Sequence, residues 1–227
     1  LLSLPEAEKA KGIVTASTGN HGAATAYALK TLNAKGIIFV PENASKAKVA
    51  NIKRYGAEVR FFGDDGVLTE LHARQFAKEN AITYISPYND EAVVAGQGSI
   101  GVELYRQIDK IDNVLVALGG GGLISGIANY LKNVNPNVKI IACSPQNSAV
   151  MMESVKAGKI LDLPSLPTFS DGTAGGVEEG SITFELCRDL IDDYTTVTED
   201  EIKTAWREFV ATHHMMIEGA AAMVIAC

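Results

Sequence analysis

The chain has 227 residues, 47% apolar and 21% charged, enough to bury a real core in one large domain or two small ones. Its formal net charge of −7 argues against a nucleic-acid partner, which needs a concentrated basic face. No apolar stretch approaches the roughly 20 residues of a bilayer-spanning helix and no leader pattern opens the chain, so a cytoplasmic protein without a membrane partner is expected.

Short β-branched runs alternate with helical periods. Residues 12–16, 36–40, 58–62 and 83–85 read as strands, and 22–32, 45–55 and 67–80 carry helix-like spacing. The series resumes with a helix over 92–108, a very apolar strand over 113–118, a tetraglycine turn, a helix to Lys132 and a strand over 138–143. A helix over 151–158 follows, then an irregular stretch, 161–180, rich in Pro, Gly and Asp. The remainder reads as a helix over 181–191, a strand over 194–197, a helix opened by a Thr198/Glu201 capping box, and a last helical pattern over 220–227. This alternation predicts an α/β fold with two open, mostly parallel sheets flanked by helices. The expected division is a small α/β domain over 12–90 and a partial large domain made of 1–11 and 91–227. The chain opens Leu1-Leu2-Ser3-Leu4 without an initiator methionine and ends inside an apolar helical pattern, so it is expected to be a fragment. Cys143, Cys187 and Cys227 lack CxxC spacing and read as reduced core thiols.

Two strand-to-helix junctions stand out. Ser17-Thr18-Gly19-Asn20-His21-Gly22 follows the first strand, and Gly119-Gly120-Gly121-Gly122 follows the fifth. Glycines let a backbone approach a ligand, and the amides of a helix's first turn favour an anion, so each junction is a candidate anion seat. The tetraglycine fits neither G-x-G-x-x-G nor the Walker A pattern, since Leu123-Ile124-Ser125 follows it. No acidic ribose reader stands where a dinucleotide fold would have it. Four consecutive glycines are entropically costly, which favours a phosphate cradle of backbone amides. His213 and His214 diverge on a helix and cannot share a metal, and His72 has no evident partner.

Several ordered motifs carry a resemblance. Ala16 to Gly22, Lys48-x-x-x-x-Lys53-Arg54-Tyr55-Gly56-Ala57, Pro87-Tyr88-Asn89-Asp90 with Ala95-Gly96-Gln97-Gly98-Ser99, the tetraglycine, and Asp193 to Ile202 together resemble the serine/threonine dehydratase and serine racemase family. These are pyridoxal phosphate enzymes of fold type II, similar to the tryptophan synthase β chain. The resemblance implies that Gly119, Gly120, Gly121, Gly122 and the amide of Leu123 hold the cofactor phosphate. It implies that Asn20 lies beside the cofactor ring with Glu218 near the ring edge. Ser17, Thr18, Gly19, Asn20 and His21 are implied as the seat of the substrate carboxylate.

The implied reaction is β-elimination from L-threonine, L-serine or a related hydroxy amino acid, giving a 2-oxo acid and ammonia, in a homodimer or tetramer. The family's Schiff-base lysine lies in a Phe-Lys-x-Arg-Gly-like segment upstream of the Ser-x-Gly-Asn-His loop. No such segment occurs in these 227 residues, nor does the family's C-terminal Ser-Gly-Gly-Asn-like turn, so the chain alone is expected to be inactive. The family's divalent-metal site is expected to be lost, because Ser144 and Val150 stand at the matching positions. Thr18, at the position of the racemases' opposite-face hydroxyl, keeps a serine or amino-acid racemase as the first rival. A noncatalytic ligand-binding remnant is the second.

Overall fold

The computed structural model describes residues 1–64 and 66–227, which form two compact units, Leu1–Pro87 and Tyr88–Cys227. In the first unit the order is α1 (Glu6–Lys11), β1 (Ile13–Ala16), α2 (Asn20–Thr31), β2 (Gly36–Val40), α3 (Lys46–Lys53), β3 (Glu58–Phe61), α4 (Gly66–Glu79) and β4 (Thr83–Tyr84). Its sheet runs β3-β2-β1-β4 and every pair is parallel, with Ile13 opposite both Gly36 and Thr83. Successive side chains alternate faces, and the buried clusters follow that period. Val14, Ala16 and Phe39 pack with Ala73 and Ala77 of α4, while Ile38 and Val40 pack with Ala26 of α2 and Val49 and Ile52 of α3. Helices on both faces leave β1 buried at all four positions, which is why its sequence is apolar and β-branched without alternation.

The helix α1 has no counterpart in the sequence reading. Its six residues bury nothing, so they present no apolar period to detect. Glu8 accepts a hydrogen bond from Thr83 Oγ1 at 3.1 Å and Gly12 leads straight into β1. Residues 1–11 therefore group with the first unit, where the sequence pattern assigns them to the second, and the division falls after Pro87 instead of near residue 90.

The second unit contains α5 (Glu91–Gln107), β5 (Asn113–Ala117), α6 (Gly122–Val134), β6 (Lys139–Pro145), a 3₁₀ turn over Gln146–Ser148, α7 (Val150–Ala157), α8 (Ile182–Leu190), β7 (Asp193–Val197), α9 (Glu199–His213) and α10 (Gly219–Ala226). Its three strands run β5-β6-β7, again all parallel. Ile140 and Ala142 pack with Ile124, Ile127 and Leu131 of α6, whereas Cys143 packs with Ile202 of α9 and Ala222 and Met223 of α10. The long segment between α7 and α8 has neither helix nor strand, as its Pro/Gly content predicts. The Thr198 box also forms: the Thr198 hydroxyl accepts from the Glu201 amide, and the Glu201 carboxylate accepts from the Thr198 amide at 2.8 Å. His72 stacks on Phe62 with ring centroids 3.6 Å apart, so it has a partner that sequence spacing does not reveal.

Glycine sets how closely α5 and α6 approach. A Cβ on Gly126 would overlap the Val94 carbonyl and stand 2.6 Å from the Gly98 amide nitrogen. Alanine would gain about 1 kcal/mol of helix propensity, but it meets backbone, which cannot rotate away as a side chain could. Gly126→Ala is therefore expected to destabilise the protein by about 1–3 kcal/mol, read from urea unfolding.

The edge of the second sheet is tied by Asp192. Its carboxylate accepts from the Ile140 amide at 2.7 Å and from Lys132 Nζ at 2.7 and 2.9 Å. Burial alone would raise this carboxyl, but the Ile140 amide and the Lys132 ammonium outweigh it and hold the group below its ordinary range. A carboxyl lowered on folding contributes stability above its unfolded value of about 3.9, and that contribution is lost as pH falls through the folded value. Asp192→Asn should be less stable than wild type at pH 7. The gap in urea midpoint should close as pH drops below about 4.

Candidate functional site

The first junction lies at the C-terminal end of β1, an inner strand whose neighbours, β2 and β4, lie on opposite sides. In an open sheet this is the topological switch point, where the two adjacent connections diverge and leave a crevice. Gly19 is the N-cap of α2, so Asn20 and His21 ride on the helix's first turn, two residues earlier than periodicity alone predicts. The Ala23 amide is the first to bond back, to the Gly19 carbonyl at 3.1 Å. Ser17 Oγ accepts from the Gly19 amide at 3.2 Å, which fixes the bend.

His21 is oriented from below. The Thr15 hydroxyl donates to the Ile85 carbonyl at 2.7 Å and lies 3.0 Å from His21 Nε2. Having spent its one hydrogen on Ile85, the hydroxyl accepts from the ring, so Nε2 carries a proton. Thr15 is fully buried, and nothing in its sequence neighbourhood distinguishes it; only the parallel pairing that brings β4 beside β1 explains it.

The glycines of this turn differ in kind. A Cβ on Gly22 would overlap the Ser17 carbonyl oxygen and press on Ile52, whereas nothing lies within 4 Å of a Cβ placed on Gly19. Gly22 is thus required by packing, and Gly19 keeps its outer side open.

The tetraglycine lies between β5 and α6, as its spacing predicts, with Gly121 as the N-cap at φ +86, where a side chain would be strained. A Cβ on Gly119 would stand 2.9 Å from the Thr173 carbonyl oxygen, on Gly120 2.5 Å from Tyr88 Cγ, and on Gly121 2.8 Å from Cys187 Sγ. Packing therefore demands these glycines in its own right. The signal for a ligand is in the amides: among the described residues, none from Gly120 to Leu123 donates to a protein acceptor, and the first bond back is Ser125 to Gly121 at 3.0 Å. Two carbonyls at the turn are tied off instead. The Leu118 carbonyl accepts from Ser144 Oγ at 3.1 Å and the Gly120 carbonyl from Thr183 Oγ1 at 2.6 Å.

A network of distant residues holds this turn. The Tyr88 hydroxyl accepts from the Glu178 amide, and Asn89 bridges Glu178 Oε1 at 2.6 Å and the Ile182 amide at 2.9 Å. Beneath it, burial pushes the Cys187 thiol up to about 12 despite the Ser125 hydroxyl, so it is packing and no nucleophile. Glu218 is the exposed N-cap of α10, its carbonyl accepting from Ala221 and Ala222. A Cβ on Gly219 beside it would overlap the Phe169 carbonyl. The short stretch from Phe169 to Thr173 thus touches both the Glu218 turn and the tetraglycine. Ser144 is committed to Leu118 and Val150 is buried in the core; among the described residues no cluster of three or more His, Cys, Asp or Glu side chains could hold a metal. Among the same residues no helix is long and apolar enough to cross a membrane.

Two glycine-bearing turns stand at the C-terminal ends of parallel strands, and the tetraglycine, with its unpaired amides, suits a phosphorylated ligand. In agreement, residues 1–227 match the family model for pyridoxal-phosphate dependent enzymes, and the chain belongs to that family. It is 37% identical to the biosynthetic L-threonine dehydratase of Halalkalibacterium halodurans over 228 residues, 99% of this chain and 55% of that protein. It is 38% identical to the serine racemase of Arabidopsis thaliana over 226 residues, all of this chain and 68% of the relative. The processed threonine deaminase isoform 2 of Solanum lycopersicum superposes with a TM-score of 0.92 at 34% identity, covering 99% of this chain and 65% of that one. The chain thus spans between about half and two thirds of the length of these relatives.

The two kinds of glycine in the first turn separate folding from binding. Gly22→Ala should lower the unfolding midpoint, because its Cβ displaces the Ser17 carbonyl. Gly19→Ala should leave the midpoint within about 0.5 kcal/mol of wild type, the range of a substitution that meets nothing. A thermal or urea melt of each variant checks both.

Proposed function

We propose that the protein is a pyridoxal phosphate-dependent ammonia-lyase acting in the cytoplasm on L-threonine, L-serine or a related hydroxy amino acid, as a homodimer or tetramer. The observation that carries this reading is the row of unpaired amides from Gly120 to Leu123 at the N-terminus of α6. A phosphate dianion satisfies such donors and the helix dipole together. In this reading Gly119, Gly120, Gly121, Gly122 and Leu123 hold the cofactor phosphate, Asn20 hydrogen-bonds the ring's phenolic oxygen and Glu218 borders the ring. When bound, pyridoxal phosphate supplies an electron sink for charge developing at the amino acid's α-carbon.

The chain's own residues orient the substrate. Ser17, Thr18, Gly19, Asn20 and His21 receive the α-carboxylate: the open side of Gly19 admits its oxygens, and His21 is held by Thr15. Fixing the carboxylate sets which bond at the α-carbon is presented for cleavage, a positioning effect that can supply several kcal/mol of the barrier.

Incubation of the whole gene-encoded protein with L-threonine or L-serine should release 2-oxobutyrate or pyruvate with an equal amount of ammonia. Gly19→Ala should raise KM at least about tenfold, because its methyl stands where the carboxylate is seated. Absence of oxo acid with both substrates in the cofactor-loaded protein would refute the lyase. A second reading, racemisation, is favoured by one observation: Thr18 retains a hydroxyl in the substrate turn. Chiral chromatography showing D-serine formed faster than pyruvate would establish it over elimination.

A further inference from the structure

We propose that Thr183 is a positioning residue for the cofactor phosphate, acting through the Gly120–Gly121 peptide; this rests on the reading of the tetraglycine as the phosphate seat. The Thr183 hydroxyl donates to the Gly120 carbonyl at 2.6 Å, and the side chain is fully buried. No peptide bond among the described residues is cis, so the Gly120 C=O and the Gly121 N–H of that one peptide point in opposite directions. Tying the carbonyl back to the start of α8 aims the Gly121 amide away from α8. That amide is one of those left without a protein acceptor.

Without the tie, a peptide flanked by glycines can rotate, because Gly120 and Gly121 have no Cβ to restrict it. A flipped peptide would present a carbonyl to the phosphate in place of an N–H, exchanging attraction for repulsion. The structure holds Thr183 in place as well. Its one hydrogen is spent on Gly120, so Ser181 Oγ, 2.7 Å away and also buried, donates to Thr183. Ser181 is the N-cap of α8 yet makes no side-chain cap bond to its own helix. An N-cap serine would ordinarily bond its own helix's amides; here it supports the threonine instead.

The test measures dissociation constants of pyridoxal 5'-phosphate and of unphosphorylated pyridoxal for the whole gene-encoded protein by fluorescence titration; their ratio isolates the phosphate's contribution. Thr183→Val keeps the volume and removes the hydroxyl, and it should reduce the ratio about tenfold, the scale of one hydrogen bond to a buried acceptor. Thr183→Ser restores the donor and should keep the ratio within about twofold of wild type. Thr183→Ala serves as a second hydroxyl-free variant, and circular dichroism reports folding of each. A wild-type ratio near one would refute the phosphate seat itself and the proposal with it. A large wild-type ratio retained in folded Thr183→Val or Thr183→Ala would refute the proposal alone. Loss of folding in both would mark the hydroxyl as a structural tie and also overturn the assignment.

Discussion

Parallel pairing is the constraint on which the rest of this structure depends. When all strands of a sheet run one way, every strand delivers its C-terminal end to the same edge, and each crossover there opens into a helix N-terminus. Both sheets obey it: β1 leads into α2 through Ser17 to Gly19, and β5 leads into α6 through Gly119 to Gly121. Each unit therefore gathers helix N-termini, with their backbone donors and positive dipole ends, at the edge where open sheets bind ligands. The buried apolar strands that make the pairing possible and the helix-opening glycine turns that follow them are two consequences of one arrangement.

The two seats are finished differently. At the first, a side chain is aimed: Thr15, deep in β1, spends its proton on Ile85 and so receives the His21 ring. At the second, peptides are aimed: Ser144 and Thr183 draw the Leu118 and Gly120 carbonyls inward, and the amides of the same peptides are turned the other way. A carbonyl left unpaired away from water would cost about 1–3 kcal/mol, so tying the Leu118 and Gly120 carbonyls off stabilises the unit. The glycines are pressed by Tyr88, Thr173 and Cys187, so packing alone requires this residue type there.

The irregular segment between α7 and α8 takes on meaning in this setting. It lacks a ladder of its own, yet it supplies Thr173 against Gly119 and Glu178 to Asn89, and Phe169 closes against Gly219. Its backbone groups are satisfied by side chains such as Ser148, which accepts from the Gly175 amide at 3.1 Å, and Tyr88. A loop pinned in this way is scaffolding for the turn it covers.

Much of this was legible in the chain itself. The alternation of β-branched runs with helical periods defined both sheets, because strand and helix periods are local and depend on neighbours only a few residues apart. The capping box at Thr198 and Glu201 and both glycine turns that open α2 and α6 follow from the same locality. What locality cannot reach was decided by tertiary structure. Six residues of α1 bury nothing and so carry no period, and their grouping with the first unit depends on a contact between Glu8 and Thr83 across 75 positions. Thr15 and Thr183 are ordinary residues in the sequence, and Tyr88 and Asn89 stand out there only as part of a motif; their roles arise only when strand pairing and loop closure bring Ile85 to Thr15, Glu178 to Asn89 and Gly120 to Thr183. The residue types that can bind an anion were written in the chain, but the direction in which each amide and ring points was set by hydrogen bonds between segments that only folding brings together.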